Sequence, residues 1–344
     1  MPALVASLIA AAGFIISAWL TRRFCNPASR LHILDHPNER SLHSRPTPRS
    51  GGIAIFAAIV IGMAAMSWWL QDFSHLVWIA AGMLLVAAVS FLDDRYGLPV
   101  LYRLVVHLLA AGFLLRGGYL LPDVTLPGAV WTLPMLVGAG LTLLYVVWMV
   151  NLYNFMDGMD GFAGGMAVIG FGGLAVLGGL AGNDLFFGTN IVIAAASGGF
   201  LLYNFPPARI FMGDVGSSVL GFLAAALSLW GVRDGVFPFW AALLVFSPFV
   251  TDATVTLIRR LARGEKVWQA HKTHYYQRLV QLGWGHRRTV LWEYVLMSSC
   301  VVSVLWAKSQ LPGVQAKMLL VWCLVYLGLM LFVHRLERWH KRIA

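Results

Sequence analysis

Five aspartates stand in three short polar breaks of a strongly apolar chain: Asp93 and Asp94, Asp157 and Asp160, and Asp214. Adjacent carboxylates repel, and a divalent cation or a cation-bridged phosphate between them relieves that repulsion. In NLYNFMDGMDGFAGG (151–165), Asn151, Asn154, Asp157 and Asp160 recur every third residue. Neighbours at that spacing share a face wherever the helix before them runs on past its apolar stretch. The amides both donate and accept, which suits a base or a sugar, and the acids suit ribose hydroxyls or a metal. Gly158, Gly161, Gly164 and Gly165 let the backbone approach a ligand closely.

The third break is PPARIFMGDVGSSVLGF (206–222). Asp214 lies between Gly213 and Gly216, and Ser217 and Ser218 follow at what reads as a helix start. Free N–H groups at such a start suit a phosphate, with Asp214 holding Mg2+ beside it. An ordinary helix cap would show the same local pattern.

HKTHYYQRL (271–279) places His271 and His274 three apart, with Lys272 and Arg278 near them. No further Cys or His completes a tetrahedral zinc set, so phosphate or nucleotide contact fits this cluster better than zinc. Pro37, Pro46 and Pro48 keep the first basic loop (22–51) out of regular helix. Asp252 is an isolated acid inside an apolar stretch, a costly placement that points to function unless the residue lies near the inside end and pairs with Arg259 or Arg260. Glu293 reads as interfacial, and His334 and His340 as structural. Cys25, Cys300 and Cys323 are too scattered for a disulfide framework or a metal site.

The elements that must position these residues are membrane spans. The 344 residues are 59% hydrophobic and 12% charged, against about 25% charged in soluble domains. Apolar runs near 3–21, 52–70, 75–92, 101–120, 129–150, 162–181, 186–203, 216–231, 236–258, 290–307 and 313–333 give about eleven transmembrane helices. The expected fold is therefore all-α, a polytopic helical bundle forming a single membrane domain over 1–344. The first run lacks a basic segment before it and is followed by Arg22 and Arg23, as in an anchor with its N-terminus outside.

With that orientation the cytoplasmic segments are 22–51, 92–103, 150–161, 203–215, 259–289 and the tail from 334. They hold 21 of the 25 Lys and Arg residues, all but Arg116, Arg233, Lys308 and Lys317. The net charge of +10 is thus mostly topology, and it calls for no nucleic-acid partner. A secondary transporter would place its ionisable groups near the bilayer midplane and often show a repeat. Here the acids sit at span ends and no repeat is apparent.

Taken together, these segments resemble the polyprenyl-phosphate N-acetylhexosamine-1-phosphate transferases, the superfamily of MraY and WecA. The resemblance rests on Asp93-Asp94 with Arg103 after them, NxxNxxDGxDG at 151–161, FMGDxGS at 211–217, the His271–His274 loop, and PxPxxGG at 46–52. The chain looks most like the WbpL-like branch that initiates O-antigen and related surface glycans. The resemblance implies that undecaprenyl phosphate attacks the β-phosphorus of a UDP-N-acetylhexosamine of the UDP-GlcNAc or UDP-FucNAc type, with UMP leaving. It implies Mg2+, with Mn2+ as a substitute, and a multi-pass enzyme of the bacterial inner membrane with a cytoplasmic active site.

Carried over, Asp214 and Asp157 are the metal ligands. Asp93, Asp94, Asp160, His271 and His274 complete the catalytic set, with Asp93 a candidate base. Asn151, Asn154, Gly213, Ser217, Arg103 and Lys272 contact the nucleotide or its phosphates. A muramyl-pentapeptide donor fits less well. MraY has three clustered histidines where this chain has His271, His274 and Tyr275, and a Thr-Met pair where this chain has Arg49-Ser50.

Overall fold

The structure is a computed structural model that describes residues 2–37, 42–267 and 271–343. Arg40 of the first basic loop and residues 268–270 of the last one lie outside the described residues.

The chain is a polytopic helical membrane protein. Its helices are α1 (Pro2–Phe24), α2 (Gly51–Leu70), α3 (Leu76–Tyr96), α4 (Val100–Arg116), α5 (Met135–Phe155), α6 (Phe162–Leu180), α7 (Asp184–Asn204) and α8 (Gly213–Arg233). After these come α9 (Phe239–Val245), α10 (Ser247–Ala262), α11 (Tyr275–Leu279), α12 (Gly285–Ala307) and α13 (Pro312–Ile343). A π-helical turn, Val280–Trp284, joins α11 to α12. Two small antiparallel ribbons interrupt the helices: β1 (Leu34–Asp35) with β2 (Thr47–Pro48), and β3 (Asp123–Leu126) with β4 (Ala129–Thr132).

Every apolar run read from the sequence corresponds to a helix, with three differences in detail. Nine helical segments are long and apolar enough to cross a membrane among the described residues. The ninth expected span is broken into α9 and α10, bent by 82°. Pro248 sits in the first turn of α10, where its missing N–H leaves Leu244 without its next helical donor and lets the axis turn. The fourth, α4, has 17 residues and stops at Gly117 and Gly118, the latter at φ +78°. The expected run 129–150 starts late. Residues 129–132 form β4, the turn at Gly128 (φ +84°) closes the hairpin, and α5 begins only after Pro134.

Helix α8 is the axis of the bundle. Its most apolar window is 94% buried, whereas that of α13 is 6% buried and faces outward. Helices α2, α3 and α5 pack around α8, and α1 and α6 pack on α7. Small residues allow the closest crossings, as expected where lipid supplies no hydrophobic drive between helices. A Cβ on Gly52 of α2 would stand 2.2 Å from the Gly216 nitrogen and 2.4 Å from its Cα, both backbone atoms of α8. Backbone cannot swing aside as a side chain can. Gly52→Ala is therefore expected to cost about 3 kcal/mol, read as a lowered melting temperature in detergent. An unchanged melt would show that α2 and α8 are free to separate.

Candidate active site

The three acidic breaks meet at one end of the bundle. The C-terminal turn of α3 carries Asp93 and Asp94, the α5–α6 turn carries Asp157 and Asp160, and the first turn of α8 carries Asp214. Asp94, Asn154, Asp157, Asp160, Gly213, Asp214 and His271 line a common cavity of about 310 Å³. Arg49, His43, Gln277 and His286 line it too.

Local structure explains the convergence. The ribbon β1–β2 sets Arg49 just before α2, and Phe211 N–H donates to the Pro48 carbonyl (2.7 Å). Gly51 and Gly52 N–H donate back to the carbonyls of Phe211 (3.0 Å) and Met212 (2.7 Å). The start of α2 is thereby stitched to the start of α8. Gly213 takes φ +73°, and a Cβ there would lie 2.1 Å from the Arg49 carbonyl oxygen, so glycine is required in this turn. Asn204 at the end of α7 holds the other wall. Its Oδ1 accepts from Gly161 N–H and its Nδ2 donates to the Ile210 carbonyl, both at 2.9 Å.

The carboxylates are held in different ways. Asp93 Oδ2 accepts from Arg103 Nη1 (2.7 Å) and Oδ1 from Leu98 N–H (2.7 Å), and Asp93 does not line the cavity. Arg103 also stands 3.9 Å from Asp214 Oδ2, so it links the two acids. Asp94 is buried. Its Oδ2 accepts from Val215 N–H (3.3 Å), Arg49 Nε lies 3.6 Å from Oδ1, and an Arg49 N–H donates to the Asp94 carbonyl. Asn154 Nδ2 donates to Asp214 Oδ1 (2.9 Å) and to Ser217 Oγ (3.1 Å).

Asp160 Oδ2 accepts from Ala208 N–H (3.0 Å), its Oδ1 stands 3.1 Å from His286 Nδ1, and its backbone N–H donates to that nitrogen (3.5 Å). Asp157 accepts no hydrogen bond among the described residues. Burial, then the charges of Asp214, Asp94 and Asp160, push its carboxyl well above the ordinary range.

This donor set fits a divalent cation. No three His, Cys, Asp or Glu side chains gather tightly enough to form a closed metal site among the described residues. Mg2+ needs only one or two carboxylates beside phosphate oxygens and water. Asp157 and Asp214 both line the cavity, Asp157 with no hydrogen bond among the described residues and close enough to feel the charge of Asp214, and Asp94 Oδ1 is a buried oxygen with no hydrogen bond.

Several expected residues stand elsewhere. Asn151 turns back on its own helix to donate to the Val147 carbonyl (2.7 Å) and does not reach the cavity. Ser217 is buried behind Asn154 and donates to the Gly213 carbonyl (3.2 Å). Lys272 is outside the cavity lining, and its carbonyl accepts from Gln281.

His274 is buried and off the cavity, with Nδ1 3.2 Å from Asp252 Oδ1. Asp252 thus pairs with His274 and not with the arginines expected from the sequence. Arg259 donates to the Tyr275 hydroxyl (3.0 Å), and Arg260 bonds Glu265 (2.8 Å). His286, Gln277 and His43 also line the cavity, and nothing in the sequence marks them. A lone His or Gln in a basic loop carries no spacing signal.

Of the histidine pair, only His271 reaches the cavity, with its ring 4.8 Å from that of His274. Burial, reinforced by His274 and Arg260, pushes its imidazole down to about 4, so it is neutral at neutral pH. The unfolded chain takes up a proton near the ordinary value of about 6.5, the folded chain only near 4. Between those values the unfolded state binds more protons, so stability falls as pH falls through this window. Wild-type melting is expected to drop more steeply from pH 7.5 to 5 than that of His271→Gln; equal slopes would exclude a neutral His271 in the folded chain.

Comparison with known proteins agrees with this geometry. Residues 76–232 match the family described as glycosyl transferase family 4. The chain is 31% identical, over 82% of its length and 79% of the other, to a probable undecaprenyl-phosphate N-acetylglucosaminyl 1-phosphate transferase of Bacillus subtilis strain 168. It is 33% identical, over 84% of its length and 79% of the other, to a decaprenyl-phosphate N-acetylglucosaminephosphotransferase of Mycobacterium tuberculosis. A phospho-N-acetylmuramoyl-pentapeptide-transferase of Lactobacillus helveticus is more distant, 25% identical over 76% of this chain and 84% of its own.

Proposed function

The chain belongs to the polyprenyl-phosphate N-acetylhexosamine-1-phosphate transferases, and on that premise we propose that it transfers an N-acetylhexosamine-1-phosphate from a UDP-sugar to undecaprenyl phosphate. The observation that carries this reading is the gathering of Asp94, Asn154, Asp157, Asp160 and Asp214 with Arg49 around one cavity at the end of the bundle. An oxygen of the lipid phosphate forms a bond to the β-phosphorus, and the bond from that phosphorus to the bridging oxygen of UMP breaks. The products are UMP and a lipid-pyrophosphate-sugar.

No proton need leave the nucleophile. A phosphate monoester has its second pKa near about 6 and is mostly dianionic at neutral pH. Asp93 therefore has no base to supply, and its two hydrogen bonds suit it to orienting Arg103. The task left to the protein is to neutralise charge and align the reacting groups. Arg49 and Arg103 are fixed by Asp94 and Asp93 beside the cavity. Asn154 orients Asp214. A divalent cation such as Mg2+, held by Asp214 and Asp157, would supply the charge neutralisation that diphosphate cleavage requires.

The clustering of Lys and Arg at the same end of the bundle supports a cytoplasmic site in a bacterial inner membrane. The product suits the first membrane step of an O-antigen or related surface glycan. The N-acetylglucosaminyl group named for two relatives makes UDP-GlcNAc the first donor to test. The purified protein with undecaprenyl phosphate and Mg2+ is expected to release UMP from UDP-GlcNAc. A panel including UDP-N-acetylfucosamine and UDP-N-acetylmuramyl-pentapeptide ranks the donors. No UMP from any donor would reject the transferase reading in favour of a carrier.

A further inference from the structure

A second cavity, of about 740 Å³, opens where α1 ends, and it shares no lining residue with the acidic one. Trp19, Leu20 and Leu31 give it apolar walls, and Arg22, Arg23 and Arg30 give it a basic one. No Asp or Glu lines it, and none of the three guanidiniums is paired with a carboxylate among the described residues.

Local structure gathers the three arginines. After Phe24 the chain folds back in a run of tight turns. Asn26 N–H donates to the Arg23 carbonyl (3.2 Å), Ser29 N–H to the Asn26 carbonyl (2.9 Å) and His32 N–H to the Ser29 carbonyl (3.0 Å). Asn26 Oδ1 accepts from Ala28 N–H (2.9 Å) and steadies the first turn. Arg30 is thereby brought back beside Arg22 and Arg23. The carbonyls at the helix end are engaged as well. That of Thr21 accepts from Cys25 N–H (3.0 Å), and that of Phe24 lies 3.1 Å from His32 Nδ1. The charged groups presented to the cavity are therefore all cations.

The two faces of α1 differ. Ala6, Ala10, Gly13, Ser17 and Thr21 are buried, and the helix packs on α7 and α2. Leu8, Ile15 and Trp19 are exposed, at a spacing that places them on one face. They form an apolar ridge that ends at the cavity, where the Arg23 guanidinium lies 5.1 Å from the centroid of the Trp19 ring. Orientation in the membrane accounts for arginines at this end of α1. It does not require three of them around one cavity with an apolar ridge beneath. A soluble anion would use only the guanidiniums, whereas an amphiphile with an anionic head uses both features.

We propose that this cavity binds an anionic glycerophospholipid, its phosphate among Arg22, Arg23 and Arg30 and an acyl chain along the ridge of Leu8, Ile15 and Trp19. Guanidinium forks match phosphate oxygens, and the apolar body of Trp19 suits the boundary between head and chain. The site is separate from the transferase reading and stands or falls without it.

The test measures lipid bound to the purified full-length protein by native mass spectrometry, with phosphatidylglycerol set against phosphatidylethanolamine. Wild type is expected to hold phosphatidylglycerol about tenfold more tightly. Arg23→Gln/Arg30→Gln is expected to reduce that preference to within about twofold. This pair still leaves Arg22, Arg40, Arg45 and Arg49 to orient α1. Arg30→Gln alone, in the loop after α1, is expected to lose about threefold and carries the test if the pair fails to fold. Arg335→Gln/Arg338→Gln removes two exposed arginines from the outward-facing α13 and is expected to leave the preference unchanged.

An undiminished preference in the α1 variants, or an equal loss in the α13 variant, would overturn the site. Displacement of phosphatidylglycerol by excess inorganic phosphate would overturn it in favour of a soluble anion. Displacement by equimolar undecaprenyl phosphate would overturn it in favour of a holding place for that lipid.

Discussion

Asp214→Asn is expected to lower UMP release about 10³-fold at saturating donor and undecaprenyl phosphate, and excess Mg2+ is not expected to restore it. The substitution keeps the size of the side chain and the oxygen that accepts from Asn154 at 2.9 Å, so the first turn of α8 should stand unchanged. What it removes is a negative charge at the point where Asp157, Asp94 and Arg103 face one another. Losing that charge from a cation-holding pair costs several kcal/mol of transition-state stabilisation, and each 1.4 kcal/mol is a factor of ten. Asp93→Asn should lose far less, on the order of tenfold. Asp93 stands off the cavity, where it holds Arg103 and meets the Asp214 carboxyl, and an asparagine can still accept one of its two hydrogen bonds. The measurement is UMP release across an Mg2+ titration, with melting temperature recorded for each variant. Mg2+-dependent turnover of Asp214→Asn within tenfold of wild type would remove this residue from the cation site.

The contrast between these two acids shows what a sequence can and cannot display. The helices were legible because a membrane imposes one rule, long apolar runs, and the chain obeys it from α1 to α13. The exceptions sit where a local rule overrides hydropathy. Pro248 breaks the ninth span, and Pro134 with Gly128 diverts the start of the fifth into a hairpin. The gathering of three acidic breaks was legible too, since glycine-rich polar turns at span ends have few structural reasons to exist.

Individual side-chain assignments were harder to read. Asn151 lies three residues before Asn154, but α5 is still regular there, and its amide finds the Val147 carbonyl one turn back. His271 and His274 look equivalent in a HxxH pair. One lines the cavity and the other is buried on Asp252. His286 carries no motif at all, because it joins the cavity through a contact with a residue 126 positions away.

Asp252→Ala is expected to produce the largest loss of stability, about 3–5 kcal/mol. Asp252 is buried in α10 and takes four hydrogen bonds, from His274 Nδ1 (3.2 Å), Tyr275 N–H (3.0 Å), Tyr276 N–H (3.1 Å) and Thr256 Oγ1 (3.0 Å). Through them it fixes the start of α11. Tyr276 then reaches across to donate to the Phe155 carbonyl at the end of α5 (3.2 Å), with its ring 4.7 Å from that of Phe162. Gln277 and His271, which flank this anchor, line the cavity. Asp252 never touches the site, yet it holds the loop that closes it.

The variant Asp252→Asn separates charge from shape. Its single amide oxygen can serve the donors now on Oδ1, but its NH2 then meets the Tyr276 N–H, donor against donor, in a buried place. One unsatisfied pair costs about 1–3 kcal/mol. Asn should therefore melt between wild type and Ala. It should lose on the order of 10²-fold in turnover, because a small misplacement of positioning groups is costly in an enzyme that works by alignment. Limited proteolysis between 263 and 274 should accelerate in the same order, wild type slowest and Ala fastest. Wild-type melting and turnover in Asp252→Asn would mean that the helix break at α9–α10, and not this carboxylate, sets the loop.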